Sequence, residues 1–207
     1  MTSHRQAYRR SLQALEQYYD SVGNHEKTMW AKEERESLDR IPMYRYIIEA
    51  EIFPATLKAS EAIPAADQLY AEAEQTRKKA GVLLPNQLKD EEVLRVALGK
   101  YGDLIRQYPT SDKIDDAAWQ SAGICETLGD YANAILFYKR TFQWDPATTY
   151  SPRYEAARLL DKLNRRDEAL PLYQEAIAKE ARYLTNVSVA ERRVKELTNP
   201  KPEGGSR

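Results

Sequence analysis

Two histidines, His4 and His25, a lone cysteine, Cys125, and an acidic cluster, Asp112, Asp115 and Asp116, are the side chains whose types could carry chemistry in this chain. An activated nucleophile needs a base within reach and a third group to orient that base. Neither histidine supplies one by spacing: His4 lies near the terminus and His25 beside a turn. No glycine-rich phosphate loop is present. The three aspartates lack the alternating ligands and distant bidentate glutamate of a calcium loop. In the first turn of a helix they complement its dipole instead. Cys125 falls on an apolar stripe with Ala118, Ala122 and Leu128, where a free thiol behaves as a small hydrophobe. One cysteine also excludes an internal disulfide and a cysteine-cluster metal site. The expectation is a chain that is not an enzyme, with no cofactor and no metal.

The elements that position these residues are helical. Hydrophobic residues make up 42% of the 207 and charged residues 30%, a balance that suits a folded, helix-rich chain. Lys and Arg total 31 against 32 Asp and Glu, so no overall field draws in nucleic acid or an anionic membrane. Apolar runs fall short of the ~20 residues that cross a bilayer, and the first ten residues lack the apolar core of a secretory signal. The chain reads as cytoplasmic as written, or as periplasmic in a bacterial envelope if a leader was removed.

Proline placement and apolar periodicity predict helices over Arg5–Val22, Glu26–Ile52, Pro64–Lys79, Gln87–Gln107, Asp112–Leu128, Tyr131–Gln143, Pro152–Leu163, Arg166–Arg182 and Val187–Leu197. Pro42 kinks or ends the second of these. Ser151 reads as an N-cap before Pro152 at the first helical position, and Pro171 bends a solvent-facing edge. No stretch alternates with period 2, so no sheet is expected. Residues 54–63 form a linker, Gly81–Asn86 packs down on neighbouring helices, and residues 199–207 form a disordered tail.

One hairpin is written twice. Trp119 to Phe142 is followed by Tyr154 to Ile177 with Trp119 matching Tyr154, Leu128 matching Leu163, Gly129 matching Asn164, Ala134 matching Ala169 and Tyr138 matching Tyr173. Each match is a step of 35 residues. Alanines stand where two backbones approach, large residues such as Ile135, Tyr138 and Phe142 fill the seams, and Gly129 and Asn164 take the tight turns. A two-helix period of that length specifies a stacked solenoid. The fold class is therefore all-α, a superhelical stack of antiparallel hairpins. Residues 1–53 form a degenerate hairpin or cap, 64–109 a partial repeat, 112–146 and 151–182 full repeats, and 186–198 a capping helix.

Leu128-Gly129-Asp130-Tyr131, Ala134-Ile135, Tyr138 and Pro146, followed by Ala157, Leu163, Ala169-Leu170, Tyr173 and Ala176, resemble the tetratricopeptide repeat family. The stretch from Ala97 to Trp119 looks like the repeats of bacterial envelope proteins, among them the lipoprotein of outer-membrane protein assembly and the periplasmic coordinator of cell division. The resemblance implies a right-handed α-α superhelix in which the first helix of each hairpin lines a concave groove. It places Asp116, Trp119, Gly123, Glu126 and Thr127 there in one copy, and Tyr154, Arg158, Asp161 and Lys162 in the next. The implied partner-binding set is Asp116, Trp119, Gly123, Glu126, Tyr154, Arg158 and Lys162. Trp119 and Tyr154 are its anchors, unless both pack against the next helix instead. Trp119, Gly123 and Tyr154 replace the lysines and asparagines with which some members grip a terminal carboxylate. The function read from these residues is a scaffold for a protein or peptide segment. The alternative is a self-assembling protein that forms homo-oligomers through its solenoid ends.

Overall fold

The computed structural model describes residues 2–40, 48–81 and 90–199. Its helices are α1 (Thr2–Ser21), α2 (His25–Arg40), α3 (Glu49–Ile52), α4 (Pro64–Lys79), α5 (Glu91–Gln107), α6 (Ile114–Thr127), α7 (Tyr131–Trp144), α8 (Pro152–Lys162), α9 (Arg166–Lys179) and α10 (Leu184–Thr198). The only β feature among the described residues is an isolated parallel bridge between Glu61 and Ser111. None of these helices is long and apolar enough to cross a membrane.

Local chemistry sets the helix ends. Pro64 and Pro152 open α4 and α8, where a missing N–H costs nothing. The side chains of Asp90 and Asp130 accept from the backbone N–H of Val93 and Asn133, capping α5 and α7. Gly129 and Asn164, with φ of 78° and 60°, make the turns inside two hairpins, as the repeat required of residues that tolerate the left-handed region.

The chain forms two units, residues 1–46 and 47–207. In the first, α1 runs antiparallel to α2 with Leu12 and Ala31 buried between them. Arg35 pairs with Glu16 at 3.0 Å, and the Tyr8 hydroxyl donates to Glu34. Tyr8, Leu15, Tyr18, Val22 and Trp30 stay exposed.

In the second unit, the hairpins α4/α5, α6/α7 and α8/α9 stack in chain order. Each second helix packs on the next first helix, and α10 closes the array against α9 and α8. Ala73, Ala97, Ala118, Ala122, Ala134, Ala157 and Ala169 are fully buried, and Tyr101, Phe137, Trp144 and Leu159 fill the space between them. Truncating Phe137 to alanine would cost about 3–5 kcal/mol through lost burial and the cavity left behind.

Long-range contacts revise several expectations. The helix expected over Glu26–Ile52 is not continuous as described: α2 ends at Arg40, and Glu49–Ile52 is a separate short helix against α7 and α5. Pro42, Gly81–Asn86 beyond Gly81 itself, Gln87 and residues 200–207 lie outside the described residues. The expected linker 54–63 is a bound strap. Pro54 accepts from the Trp144 indole N–H at 2.9 Å, Ala59 N–H donates to Trp144 O, and Ser60 and Glu61 N–H donate to Thr110 O.

Ser151 makes no capping bond through its side chain. Glu180, from the end of α9, takes that place: its two carboxylate oxygens accept from the backbone N–H of Arg153 and Tyr154 at 2.9 and 3.2 Å. The Ser151 hydroxyl is turned to Asn186 at 3.0 Å instead. A carboxylate at a helix N-terminus satisfies orphan donors more strongly than a hydroxyl.

Candidate partner-binding face

Helix α6 buries Ile114, Ala117, Ala118, Ser121, Ala122, Ile124 and Cys125 on one side. The stripe at helical spacing opposite them carries Asp116, Trp119, Gly123 and Glu126, all half-buried. Trp119 is held on two sides. Its ring stacks on Tyr150 with centroids 4.7 Å apart and planes 7° off parallel, and it meets Tyr138 at 5.2 Å and 59°. Offset and tilted ring pairs of this kind fix orientation as well as burying area.

The hydroxyls of these tyrosines are tied to the same helix. Tyr150 donates to Asp116 Oδ1 at 2.8 Å and Tyr138 to Glu126 Oε2 at 3.2 Å. Burial, with the nearby carboxylates, pushes both phenols above their ordinary range, so they remain protonated donors. Arg158 of α8 crosses to Glu126 Oε1 at 2.6 Å and also holds Glu155 at 2.7 Å. One step further along, Arg193 of α10 crosses to Asp161 of α8 at 2.7 and 2.8 Å, while Tyr173 donates to Asp161 at 3.4 Å. Both arginines reach back 32 residues, so the whole arrangement repeats at the 35-residue step of the sequence.

Gly123 breaks the row. It occupies the register position of Arg158 and Arg193, yet a Cβ placed there meets nothing within 4 Å. The space above Gly123, one turn along α6 from Trp119, is open. On the α4 side, Tyr70 lies against the Gln120 side chain and near Asp116, and its phenol is pushed up to about 12, chiefly by burial.

Residues 116–148 match the family model of the tetratricopeptide repeat. That segment holds α6, its turn at Gly129, α7, and the loop up to Thr148, so the matched repeat carries Asp116, Trp119, Gly123 and Glu126. The structure described as the TPR2AB-domain:pHSP90 complex of yeast Sti1 is similar at 15% identity and a TM-score of 0.48, over 92% of this chain and 70% of that one. The partner in that complex is Sti1's. No curated protein matches the sequence.

Four of the seven expected partner-binding residues, Asp116, Trp119, Gly123 and Glu126, line α6, and Arg158 joins them through Glu126. Lys162 stands apart: its ammonium lies 4.0 Å from the centre of the Tyr131 ring and donates to that hydroxyl at 2.7 Å. Tyr154 does not face outward. It is 9% exposed and packed into the core, with its ring tilted on Tyr173 of α9 at 6.1 Å.

The sequence alone does not place Tyr70, Gln120, Tyr150 or Arg193 on this face. Arg193 was reachable by adding 35 to Arg158, whereas Tyr150 sits in a loop with no counterpart in register. Asp115 stands in the first turn of α6, as expected of a residue that complements the helix dipole, and is only 5% exposed. Burial, with Asp116 and Asp145 close by, pushes its carboxyl up to about 7. Cys125 is buried and its thiol is pushed up to about 12, the inert state of a packed cysteine.

Proposed function

We propose that this chain is a non-catalytic scaffold that holds a segment of another protein against the first helices of its hairpins, with Trp119 as the anchor. The observation that carries this reading is the open notch above Gly123 beside a tryptophan already locked by Tyr150 and Tyr138. An anchor fixed before binding loses little conformational freedom when it is covered. Asp116, Glu126 and Arg158 form its polar rim. The matched repeat supports protein recognition in general, and the likeness of residues 97–119 to envelope repeats supports a bacterial envelope as the setting. Affinity capture with mass spectrometry, followed by titration of the captured segment into wild-type and Trp119→Ala protein, tests the reading. Undiminished binding to the variant would refute it.

Self-association is the alternative, favoured by the exposed Tyr8, Leu15, Tyr18, Val22 and Trp30 of the first hairpin. Light scattering decides it: a strict monomer at high concentration rules it out.

A further inference from the structure

We infer, building on the scaffold reading above, that the notch at Gly123 receives a cationic side chain, arginine or lysine, from the bound protein segment. Three observations converge on it.

The first is register. At the positions 35 and 70 residues after Gly123 the chain places arginine. Each of those arginines lies across a first helix and meets a carboxylate that also accepts from a tyrosine of the second helix. The fold thus shows twice which side chain suits this position. At the preceding step the tyrosine-bonded carboxylate is Glu74, which accepts from Tyr101 and is held by Arg77 of its own helix at 2.8 Å. No arginine from α6 is needed there, and a Cβ at Gly123 meets nothing within 4 Å.

The second is charge. Around the rings of Tyr70, Trp119, Tyr138 and Tyr150 stand Glu74, Asp115, Asp116, Glu126 and Glu155, against Arg77, Lys113 and Arg158. Leaving aside Asp115, whose buried carboxyl is pushed up to about 7, four carboxylates face three cations, and the phenols of Tyr70, Tyr138 and Tyr150 all shift in the direction a negative field adds to burial. An acidic segment would have to displace Glu126 or Glu155 from Arg158, whereas a cation adds to Asp116, which is held by the Tyr150 hydroxyl at 2.8 Å and only loosely by Lys113 at 3.6 Å.

The third is the aromatic wall. A cation over an indole face is attracted by the ring quadrupole. The chain already uses such contacts, with Arg153 4.4 Å from the Phe142 centroid and Lys162 4.0 Å from that of Tyr131.

The test follows the Trp119 indole N–H by NMR in the ¹⁵N-labelled full chain. Its resonance is told from those of Trp30 and Trp144 with Trp119→Phe. The probes are three acetylated, amidated peptides of equal length that alternate alanine with arginine, glutamine or glutamate. The arginine peptide is expected to move the Trp119 signal saturably and to bind at least about tenfold more tightly than the glutamine peptide, with the preference falling as salt rises. Gly123→Gln, which fills the notch without charge on a helix that gains from losing glycine, is expected to weaken it about tenfold. Asp116→Asn, which still accepts from Tyr150, is expected to weaken it several-fold. If the glutamate or glutamine peptide perturbs Trp119 as strongly, the inference fails while the scaffold reading stands. If no peptide perturbs Trp119, or Gly123→Gln binds the arginine peptide unchanged, the inference also fails. The scaffold reading is then judged on the captured partner alone.

Discussion

Arg193 grips Asp161 with two guanidinium nitrogens, at 2.7 and 2.8 Å, and lies 35 residues after the Arg158 that grips Glu126. The hairpins are therefore joined along their first helices by charge as well as by the alanine seams beneath. Each carboxylate in these pairs also accepts a tyrosine hydroxyl from the second helix of its own hairpin. The row thereby ties one hairpin internally and to the next.

Breaking a strut should loosen the stack by a modest amount. The Arg193–Asp161 pair is two-pronged and only partly exposed, so its coupling should exceed that of an ordinary surface pair, at about 1 kcal/mol. A double-mutant cycle with Arg193→Ala and Asp161→Ala, read by urea unfolding, measures it. Strictly additive effects would show that the pair contributes nothing.

Glu180 should matter far more than Ser151 for the start of α8. It caps two backbone N–H groups and faces the buried Arg153. Glu180→Ala should cost about 3 kcal/mol, since it leaves buried donors and a buried guanidinium short of a partner. Ser151→Ala should cost under about 1 kcal/mol, because its hydroxyl caps nothing. Thermal unfolding of the two variants ranks them.

Asp115 makes stability fall as pH rises. Its folded-state pKa of about 7 stands above the ordinary 3.8, so the unfolded chain gives up this proton first. The stabilisation from the neutral, buried acid is complete below about pH 4 and is lost as pH climbs to about 7. The full effect is at most about 4 kcal/mol. Asp115→Asn should raise the melting temperature at pH 8 and flatten the slope between pH 4 and 7. The raised carboxyl of Glu180 leaves a smaller slope of the same sign. An unchanged pH profile in the variant would count against a buried, neutral Asp115.

The turn residues differ in what they tolerate. Gly129 at φ 78° has open space about it, so Gly129→Val should destabilise through backbone strain alone, by about 1–2 kcal/mol. Asn164→Gly, at a φ of 60°, should change stability by less than about 1 kcal/mol. Urea unfolding of both variants compares them.

What could be read from the sequence was local. The α4 bounds Pro64 and Lys79, the α7 start at Tyr131, the left-handed turns at Gly129 and Asn164, and the buried alanines follow from proline chemistry, capping and period. Side chains that act across tens of residues escaped it. Glu180 outcompetes Ser151 as a cap because a carboxylate is delivered by folding from the next helix end. The strap 54–63 reads as a linker until Trp144 and Thr110 meet its backbone. Tyr154 carries the same helical phase as Trp119, yet Tyr154 is buried against Tyr173 while Trp119 stays half-buried between Tyr138 and Tyr150, a difference of neighbours that no spacing within one helix reveals. Glu126 and Arg158 read as separate groove positions, and their pairing emerges only when the helices are set side by side.

Calorimetric titration of the captured partner segment into wild-type and Trp119→Ala protein tests the scaffold most directly, with circular dichroism checking that both are folded. Trp119→Ala is predicted to weaken binding by at least about tenfold. Equal affinity, with the helices intact, would place the partner elsewhere and contradict it.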